Sequence, residues 1–196
     1  MYKRQYLDRA LELAMRHPLR RSSHNAELDS ARNRVLSHSL ESLVDDPRFD
    51  NSAMDGFAVR ASDCITPKAE LSIVGTSQAG GDLPPAISAG EACRIMTGAQ
   101  LPEGADAIVM VEDTEVRGER VTINGPARTG YIRKRAENLS IGQEALPTGA
   151  LLSPACIALA GTTGHGTVRV IQRPRIAILS TGDELVQPGL RLEPGQ

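Results

Sequence analysis

The chain has 196 residues, of which 40% are apolar and 23% charged, and its formal net charge is −2. This is the composition of a globular protein with one domain or two small ones. The slightly acidic balance excludes a basic field for nucleic acid or an anionic membrane, and three Tyr, two Phe and no Trp argue against a stacking platform for single strands.

The cysteines and the apolar runs bear on the cellular compartment. Cys64, Cys93 and Cys156 are far apart and form no CxxC pair, which argues against a disulfide framework or a zinc site. No run of 18 apolar residues is present, so no membrane-spanning helix is predicted. The basic N-terminus lacks the apolar core of a secretory signal. We therefore expect a protein of the reducing cytoplasm.

Two helices are predicted at the start of the chain. Apolar residues at helical spacing from Tyr6 to Ala14 predict an amphipathic helix that ends before Pro18. The polar residues 22–25 are candidate caps for a second, short helix over about 26–36, which keeps the same spacing. From Leu36 a weak alternation indicates a strand.

The middle of the chain is predicted to be a small all-β domain. Short β-prone runs occupy 57–60, 70–75, 92–96 and 107–111, with Gly and Pro between them. Arg117-Gly118 is a candidate hairpin turn between two further strands, 114–116 and 119–123.

After Asn138 the pattern becomes mixed again. A short strand is expected at 144–146, and Ser153 followed by Pro154 predicts the start of a helix that Gly164 can close. The β-branched segment 167–171 predicts another strand.

The apolar run Ile176–Leu179 does not alternate, which is typical of a strand buried on both faces of a parallel sheet. Asp183 and Glu184 follow at its carboxyl end, where open α/β sheets bind ligands. Only 11 residues remain after Leu185, and each crossover of a doubly wound sheet needs at least about 10–12 residues. The chain is therefore expected to stop just inside an α/β domain.

Three polar segments are candidate sites, and each has a plain structural alternative. The loop Asp50–Gly56 offers two carboxylates that suit Mg²⁺, or it is an Asx-turn, which is the commoner use of such residues. Thr97 and Gly98 follow a strand and could donate to an anion, or they form a simple turn. Arg133-Lys134-Arg135 could bind phosphate, or it is a solvated basic stretch.

Several long motifs resemble the MoeA family of molybdopterin molybdenumtransferases, which includes the E domain of gephyrin. Asp50–Ala58 is similar to the family signature DNSAMDGYA. Arg94–Ala99 with Leu101–Val109 resembles RIMTGAPLPEGADAVV, and Arg173–Leu185 resembles RPRVAILSTGDEL. The motifs occur in the family's order, and the resemblance extends from the second predicted helix to the C-terminus.

The resemblance implies a multidomain α+β architecture. A mixed helical and β linker domain would consist of two segments, 1–45 and 138–172. An all-β domain, 46–137, would be inserted between them. Residues 173–196 would begin a truncated α/β molybdopterin-binding domain with its first strand.

The resemblance also implies a reaction and a set of residues. The family inserts molybdate into adenylated molybdopterin with Mg²⁺ and releases AMP. Asp55, Thr97 and Glu184 are expected to be catalytic, with Asp55 and Glu184 as metal ligands and Thr97 in contact with an oxyanion. Substrate-binding residues would be Ser52, Gly98, Arg133, Arg135 and Asp183. A homodimer and a molybdopterin adenylyltransferase partner are also implied, with no nucleic-acid or membrane partner.

The chain departs from the family pattern at two places. Lys134–Asn138 stands where the family has RRGED, so the amide of Asn138 replaces a carboxylate. Most of the third domain and all of a fourth are missing, so the 196-residue chain is expected to be inactive alone. The alternative to an enzyme is a non-catalytic binding or scaffold module derived from the same family.

Overall fold

The computed structural model describes residues 2–16, 22–182 and 184–195. Its contacts divide the chain into two units, Met1–His24 with Ile171–Gln196 and Asn25–Val170. Among these described residues, no helix has both the length and the apolar character that crossing a membrane requires.

The first unit contains the predicted N-terminal helix, α1 (Tyr2–Arg16). Glu12 accepts hydrogen bonds from Arg9 at 2.9 Å and from Arg16, which are helical i,i+3 and i,i+4 pairs. The apolar side chains of Tyr6 and Leu11 are exposed. The helix prediction is therefore confirmed up to Arg16, and Pro18 lies outside the described residues.

The predicted buried strand at Ile176–Leu179 is wrong. These residues belong to no strand, and the side chains of Ile176, Ile178 and Leu179 are 82%, 88% and 89% exposed. A strand buried on both faces needs neighbouring strands for its backbone and layers of structure above and below. Within the described chain no strand pairs with this segment, so it is not a strand in this structure. The start of an α/β domain at residue 173 stays a prediction.

The strands and the second helix can be given in chain order. They are β1 (Ser23–Glu27), β2 (Leu40–Glu41), β3 (Asn51–Ser52), β4 (Gly56–Val59), β5 (Ala69–Ser77), β6 (Glu91–Ile95), β7 (Ala107–Met110), β8 (Thr114–Arg117), β9 (Arg120–Ile123), β10 (Ile132–Arg133), β11 (Glu144–Leu146), α2 (Pro154–Thr162) and β12 (Thr167–Ile171).

The largest sheet has six strands in the order β7-β4-β6-β5-β9-β8. Its pairs are antiparallel except for β5 with β6, which run parallel. The hairpin of β8 and β9 closes through Gly118, whose φ of 61° suits the tight turn predicted there. Smaller two-stranded sheets pair β1 with β12, β2 with β11, and β3 with β10. The chain is thus a mixed α+β protein, and its predicted β-prone runs are strands.

The second predicted helix, over 26–36, is wrong. The segment contains the end of β1, one 3₁₀ turn at Leu28–Ser30, and bridges from Val35 to Leu151 and from Leu36 to Val170. Asn33 has a φ of 59°, which no α-helix contains. The apolar residues that are spaced as in a helix are instead buried by an extended chain, in which Leu36 pairs with Val170.

Residues from 26–40 and 146–170 share one apolar core. Its buried members are Ala26, Ala31, Leu36, Leu40, Leu146, Leu152, Ala160, Val168 and Val170. The helix α2 begins as the sequence predicts, because the Ser153 hydroxyl accepts a hydrogen bond from the backbone N–H of Cys156 at 3.2 Å. Two further buried clusters lie within residues 57–132. The division into a linker domain and an inserted β domain stays a prediction.

Candidate functional site

A short turn between β3 and β4 positions Asp55. The buried Ser52 hydroxyl accepts from the Met54 N–H at 3.1 Å and donates to the Met54 carbonyl at 2.5 Å, which closes the turn locally. The next residue is Gly56, where an added Cβ would lie 2.0 Å from the carbonyl oxygen of Val109. Close approach of β7 therefore requires glycine here and fixes the backbone that carries Asp55.

Thr97 holds the Asp55 carboxylate. Because Gly56 pairs with Ile95 in antiparallel register, Asp55 lies beside the segment that follows β6. The Thr97 N–H and hydroxyl donate to the same Asp55 oxygen, Oδ1, at 2.6 and 2.9 Å. These bonds, the backbone one first, lower the pKa of Asp55 from its ordinary value because they stabilise the charged form. Among the described residues, none donates to the other oxygen, Oδ2.

This geometry limits what Thr97 can do. Its amide and hydroxyl hydrogens are both directed at Asp55, so the predicted oxyanion contact would require them to change partner. Gly98 is in the left-handed region with a φ of 78°, and its N–H donates to the Ser52 carbonyl at 2.8 Å. Ser52 and Gly98 therefore join the two loops that carry Asp55 and Thr97.

In the basic cluster Arg133-Lys134-Arg135, the last two residues are bound to aspartates. Lys134 Nζ and the Arg135 N–H donate to Asp50 at 2.8 Å each, and Arg135 Nε donates to Asp45 at 2.5 Å. The Lys134 bond is the main reason that the pKa of Asp50 is lowered. For Asp45 the lowered pKa comes first from the N–H of Ile141 and then from Arg135.

A cavity of about 300 Å³ lies beside these loops. Its lining residues are Asp46, Pro47, Asn51, Gly98, Arg133, Glu137 and Asn138. Two of them, Gly98 and Arg133, were predicted from the sequence as substrate-binding residues. Asn51 was not singled out although it stands in the same motif as Asp55, and Asp46 carried no sequence signal of its own. Asn138 donates its side-chain N–H to Asp46 at 3.1 Å.

The remaining predicted site residues lie in the C-terminal segment. Glu184 is exposed and belongs to the unit that contains Ile171–Gln196, whereas Asp55 belongs to the other unit. Asp183 lies outside the described residues. Over residues 2–16, 22–182 and 184–195, no group of three or more His, Cys, Asp or Glu side chains is placed to hold a metal ion.

Comparison with known proteins agrees with the family resemblance. Residues 5–164 match the family described as the MoeA N-terminal region (domain I and II). Molybdopterin molybdenumtransferases of Nostoc sp. and Haemophilus influenzae are 39% and 38% identical over 175 and 171 residues, covering 87% and 86% of this chain. A crystal structure of a molybdopterin biosynthesis MoeA protein from Pyrococcus horikoshii superposes with a TM-score of 0.81 at 32% identity over 97% of this chain.

The matched region and the mixed α+β fold agree on one class of protein, that of the MoeA N-terminal region. The chain belongs to the MoeA family, within its N-terminal region. It spans 40% and 42% of the two curated relatives, and 50% of the Pyrococcus chain.

Proposed function

We propose that the full-length gene product is a molybdopterin molybdenumtransferase, which inserts molybdate into adenylated molybdopterin and releases AMP. The curated relatives carry that name, and the chain aligns with their N-terminal part. The observation that carries the proposal is the Asp55 carboxylate, which Thr97 orients through one oxygen while the other oxygen accepts no hydrogen bond from the described chain.

The donor set around Asp55 fits a Mg²⁺ ion bound mainly by substrate and water. Mg²⁺ needs only one or two protein carboxylates and completes its octahedral shell with waters and phosphate oxygens. Asp55 supplies one carboxylate that is held in its charged form. Glu184, in the other unit, stays a sequence-based prediction of a metal ligand. When bound, the cation would neutralise charge on phosphate and molybdate oxygens.

The other predicted residues position the loops of the site or bind the substrate. Ser52 and Gly98 hold the two loops together, and Thr97 restricts the Asp55 carboxylate to one orientation. Arg133 contacts the substrate, and Arg135 supports the same loop through its ion pair with Asp45. Because molybdate and the pyrophosphate link are both anionic, a charged guanidinium in the cavity wall favours their approach.

The assembly and location are part of the same proposal. The enzyme acts in the cytoplasm as a homodimer and receives its substrate from a molybdopterin adenylyltransferase. Residues 1–196 alone are inactive, since Ile176–Leu179 makes no sheet on which a substrate could bind.

Release of AMP from adenylated molybdopterin tests the proposal directly. The purified full-length gene product should release AMP only when molybdate is present, and Asp55→Asn should reduce this rate by more than about tenfold. Ser62→Ala should leave it unchanged, because Ser62 is exposed and, among the described residues, its hydroxyl bonds only to Asp63. Substrate binding without molybdate-dependent AMP release would instead support a scaffold module.

A further inference from the structure

Strand β3 lies between β10 and the segment that follows Thr97, and it leads directly into the turn that carries Asp55. On one side it pairs with β10 in antiparallel register. On the other side Ser52 donates its N–H to the Ala99 carbonyl at 3.1 Å, and its carbonyl accepts the Gly98 N–H at 2.8 Å. The position of β3 along these two neighbours therefore determines where Asp55 meets Thr97.

The backbone alone specifies this position weakly, because β3 and β10 are only two residues long. Their pairing consists of Ile132 with Ser52 and Arg133 with Asn51. A slip of one residue would move every side chain of β3 to the opposite face. Contacts made by side chains at the end of β3 are therefore important for its register.

Asp50, the residue before β3, makes such contacts through both oxygens of its carboxylate. Oδ2 accepts a hydrogen bond from Lys134 Nζ, and Oδ1 accepts one from the backbone N–H of Arg135, each at 2.8 Å. The backbone carbonyl of Asp50 accepts the N–H of Leu101 at 2.9 Å. Asp50 thus binds the segment after β10 with its side chain and the segment after Thr97 with its backbone.

The Lys134–Asp50 ion pair is expected to act locally. The two side chains are 65% and 36% exposed, and ion pairs of this exposure contribute little to the free energy of unfolding. The pair nevertheless connects residues that are 84 positions apart, on either side of the two short strands. Its removal should therefore change the register of β3 more than the stability of the whole fold.

We propose that Asp50 is a positioning residue for the contact between Asp55 and Thr97, and that Lys134 is the partner that holds Asp50 in place. Asp50 fixes the start of β3, and β3 carries this restraint to the turn that presents Asp55. Without it the segment after Thr97 shifts against β3, and both donors of Thr97 leave the Asp55 oxygen together. Lys134 is thereby assigned to the structure of the site and not to phosphate binding. The consequence for catalysis rests on the proposed function.

Hydrogen exchange of backbone amides separates a local effect from a general loss of stability. In the ¹⁵N-labelled 196-residue chain the reporters are the N–H groups of Thr97 and Gly98, which donate to Asp55 and Ser52. We expect Asp50→Ala to accelerate exchange of both at least about tenfold and to leave the amides of β9 unchanged. Equal acceleration in β9 would show a general destabilisation and would overturn the positioning role.

Variants of Lys134 test its part without removing the backbone bond to Asp50. Lys134→Gln removes the cation and should accelerate exchange of Thr97 by about threefold, whereas Lys134→Arg retains the charge and should exchange like the wild type. The matched control is the exposed pair of Arg120 and Glu70, whose charged atoms are 3.8 Å apart in the largest sheet. Arg120→Gln and Glu70→Ala should leave exchange of Thr97 unchanged.

Equal effects of the control variants, or wild-type exchange in Asp50→Ala, would overturn the inference. Wild-type exchange in Lys134→Gln would overturn the part assigned to Lys134. Because Lys134 is an exposed side chain, its variants test the inference even if Asp50→Ala does not fold.

The full-length gene product tests the consequence for catalysis. Asp50→Ala should lower kcat for molybdate-dependent AMP release at least about fivefold and change KM for molybdate by less than about twofold, because Asp50 acts through Asp55 and not on the substrate. A raised KM with an unchanged kcat would show that Asp50 affects substrate binding and would overturn the inference. A gene product that releases no AMP would contradict the proposed function, and hydrogen exchange would still decide the inference. An active enzyme whose Thr97 exchange is unchanged in Asp50→Ala would overturn the inference alone.

Discussion

Thr97 donates both its backbone and its hydroxyl hydrogen to one oxygen of Asp55, at 2.6 and 2.9 Å. The two residues are 42 positions apart and meet because β4 and β6 pair in antiparallel register. One carboxylate oxygen is consequently fixed, and the other accepts no hydrogen bond from the described residues. A turn that merely closes on itself does not need a donor from another strand, so this contact distinguishes Asp55 from an ordinary Asx-turn residue.

Replacement of Thr97 tests how its hydroxyl affects the Asp55 carboxylate without changing the charge of Asp55. Thr97→Val removes the hydroxyl donor but retains the backbone donor and the side-chain shape. The pKa of Asp55 should therefore rise, although it should stay below its ordinary value. NMR titration of the Asp55 carboxyl carbon measures this. Thr97→Ser keeps the hydroxyl and should titrate like the wild type, and an unchanged pKa in Thr97→Val would contradict the role of the hydroxyl.

Asp55→Asn tests the charge itself. The amide oxygen of Asn can still accept from Thr97, so the turn and the thermal unfolding midpoint should change little. Loss of the negative charge should reduce molybdate-dependent AMP release by the full-length gene product more than about tenfold. Both quantities are measured on the same preparation. Near-wild-type turnover would remove Asp55 from the catalytic set.

Much of the fold follows from local chemistry that the sequence displays. The β4–β9 strands, the Ser153 cap and α1 each rest on alternation, a turn residue or helical spacing within a few positions. The segment 26–36 was predicted wrongly because helical spacing and an extended buried chain place the same residues inward, and only distant Leu151 and Val170 decide between them. The strand predicted at Ile176–Leu179 was also wrong, because a strand requires neighbouring strands that a local sequence pattern does not show.

The candidate site was accessible to the sequence only through the family resemblance. On residues alone, Asp55 and Thr97 each had a turn as the simpler interpretation, and their contact depends on strand register. Asn51 was missed because an unpartnered buried oxygen is a property of packing. The different fates of Arg133 and Arg135 likewise depend on where Asp45 lies.

The two ion-paired aspartates predict acid sensitivity of unfolding. Asp45 and Asp50 have folded-state pKa values below 3.8, the value expected in the unfolded chain. Their stabilising contribution is therefore complete above about 3.8 and is lost as the pH falls through the lower folded pKa values. Urea unfolding at pH 7, 4 and 3 measures the loss. Asp45→Asn should flatten this pH dependence. Asp82→Asn should not, because Asp82 is exposed and has no ion-pair partner among the described residues.

The Ser153 cap of α2 is expected to contribute to the stability of the fold at a position away from the candidate site. Ser153→Ala removes the acceptor for the Cys156 N–H and should lower the free energy of unfolding by about 1 kcal/mol. Ser153→Thr retains a capping hydroxyl and should lose much less. Denaturant unfolding monitored by circular dichroism compares the three proteins, and equal midpoints for the wild type and Ser153→Ala would show that the bond adds no net stability.

Gly56→Ala joins the packing of the sheet to the geometry of the site. A Cβ at this position would lie 2.0 Å from the carbonyl oxygen of Val109, and this obstacle is backbone that cannot rotate away. Strands β4 and β7 must therefore separate, at a cost of about 3 kcal/mol in the free energy of unfolding. The matched control is Gly130→Ala, where a Cβ meets no atom within 4 Å.

The Gly56→Ala change should also affect Asp55, which is the preceding residue. The displacement of the strand should lengthen the bonds from Thr97 to Asp55 and raise the pKa of Asp55. Denaturant unfolding and NMR titration of the two variants measure both effects, and a Gly56→Ala protein as stable as Gly130→Ala, with an unshifted Asp55, would contradict the close approach of β7.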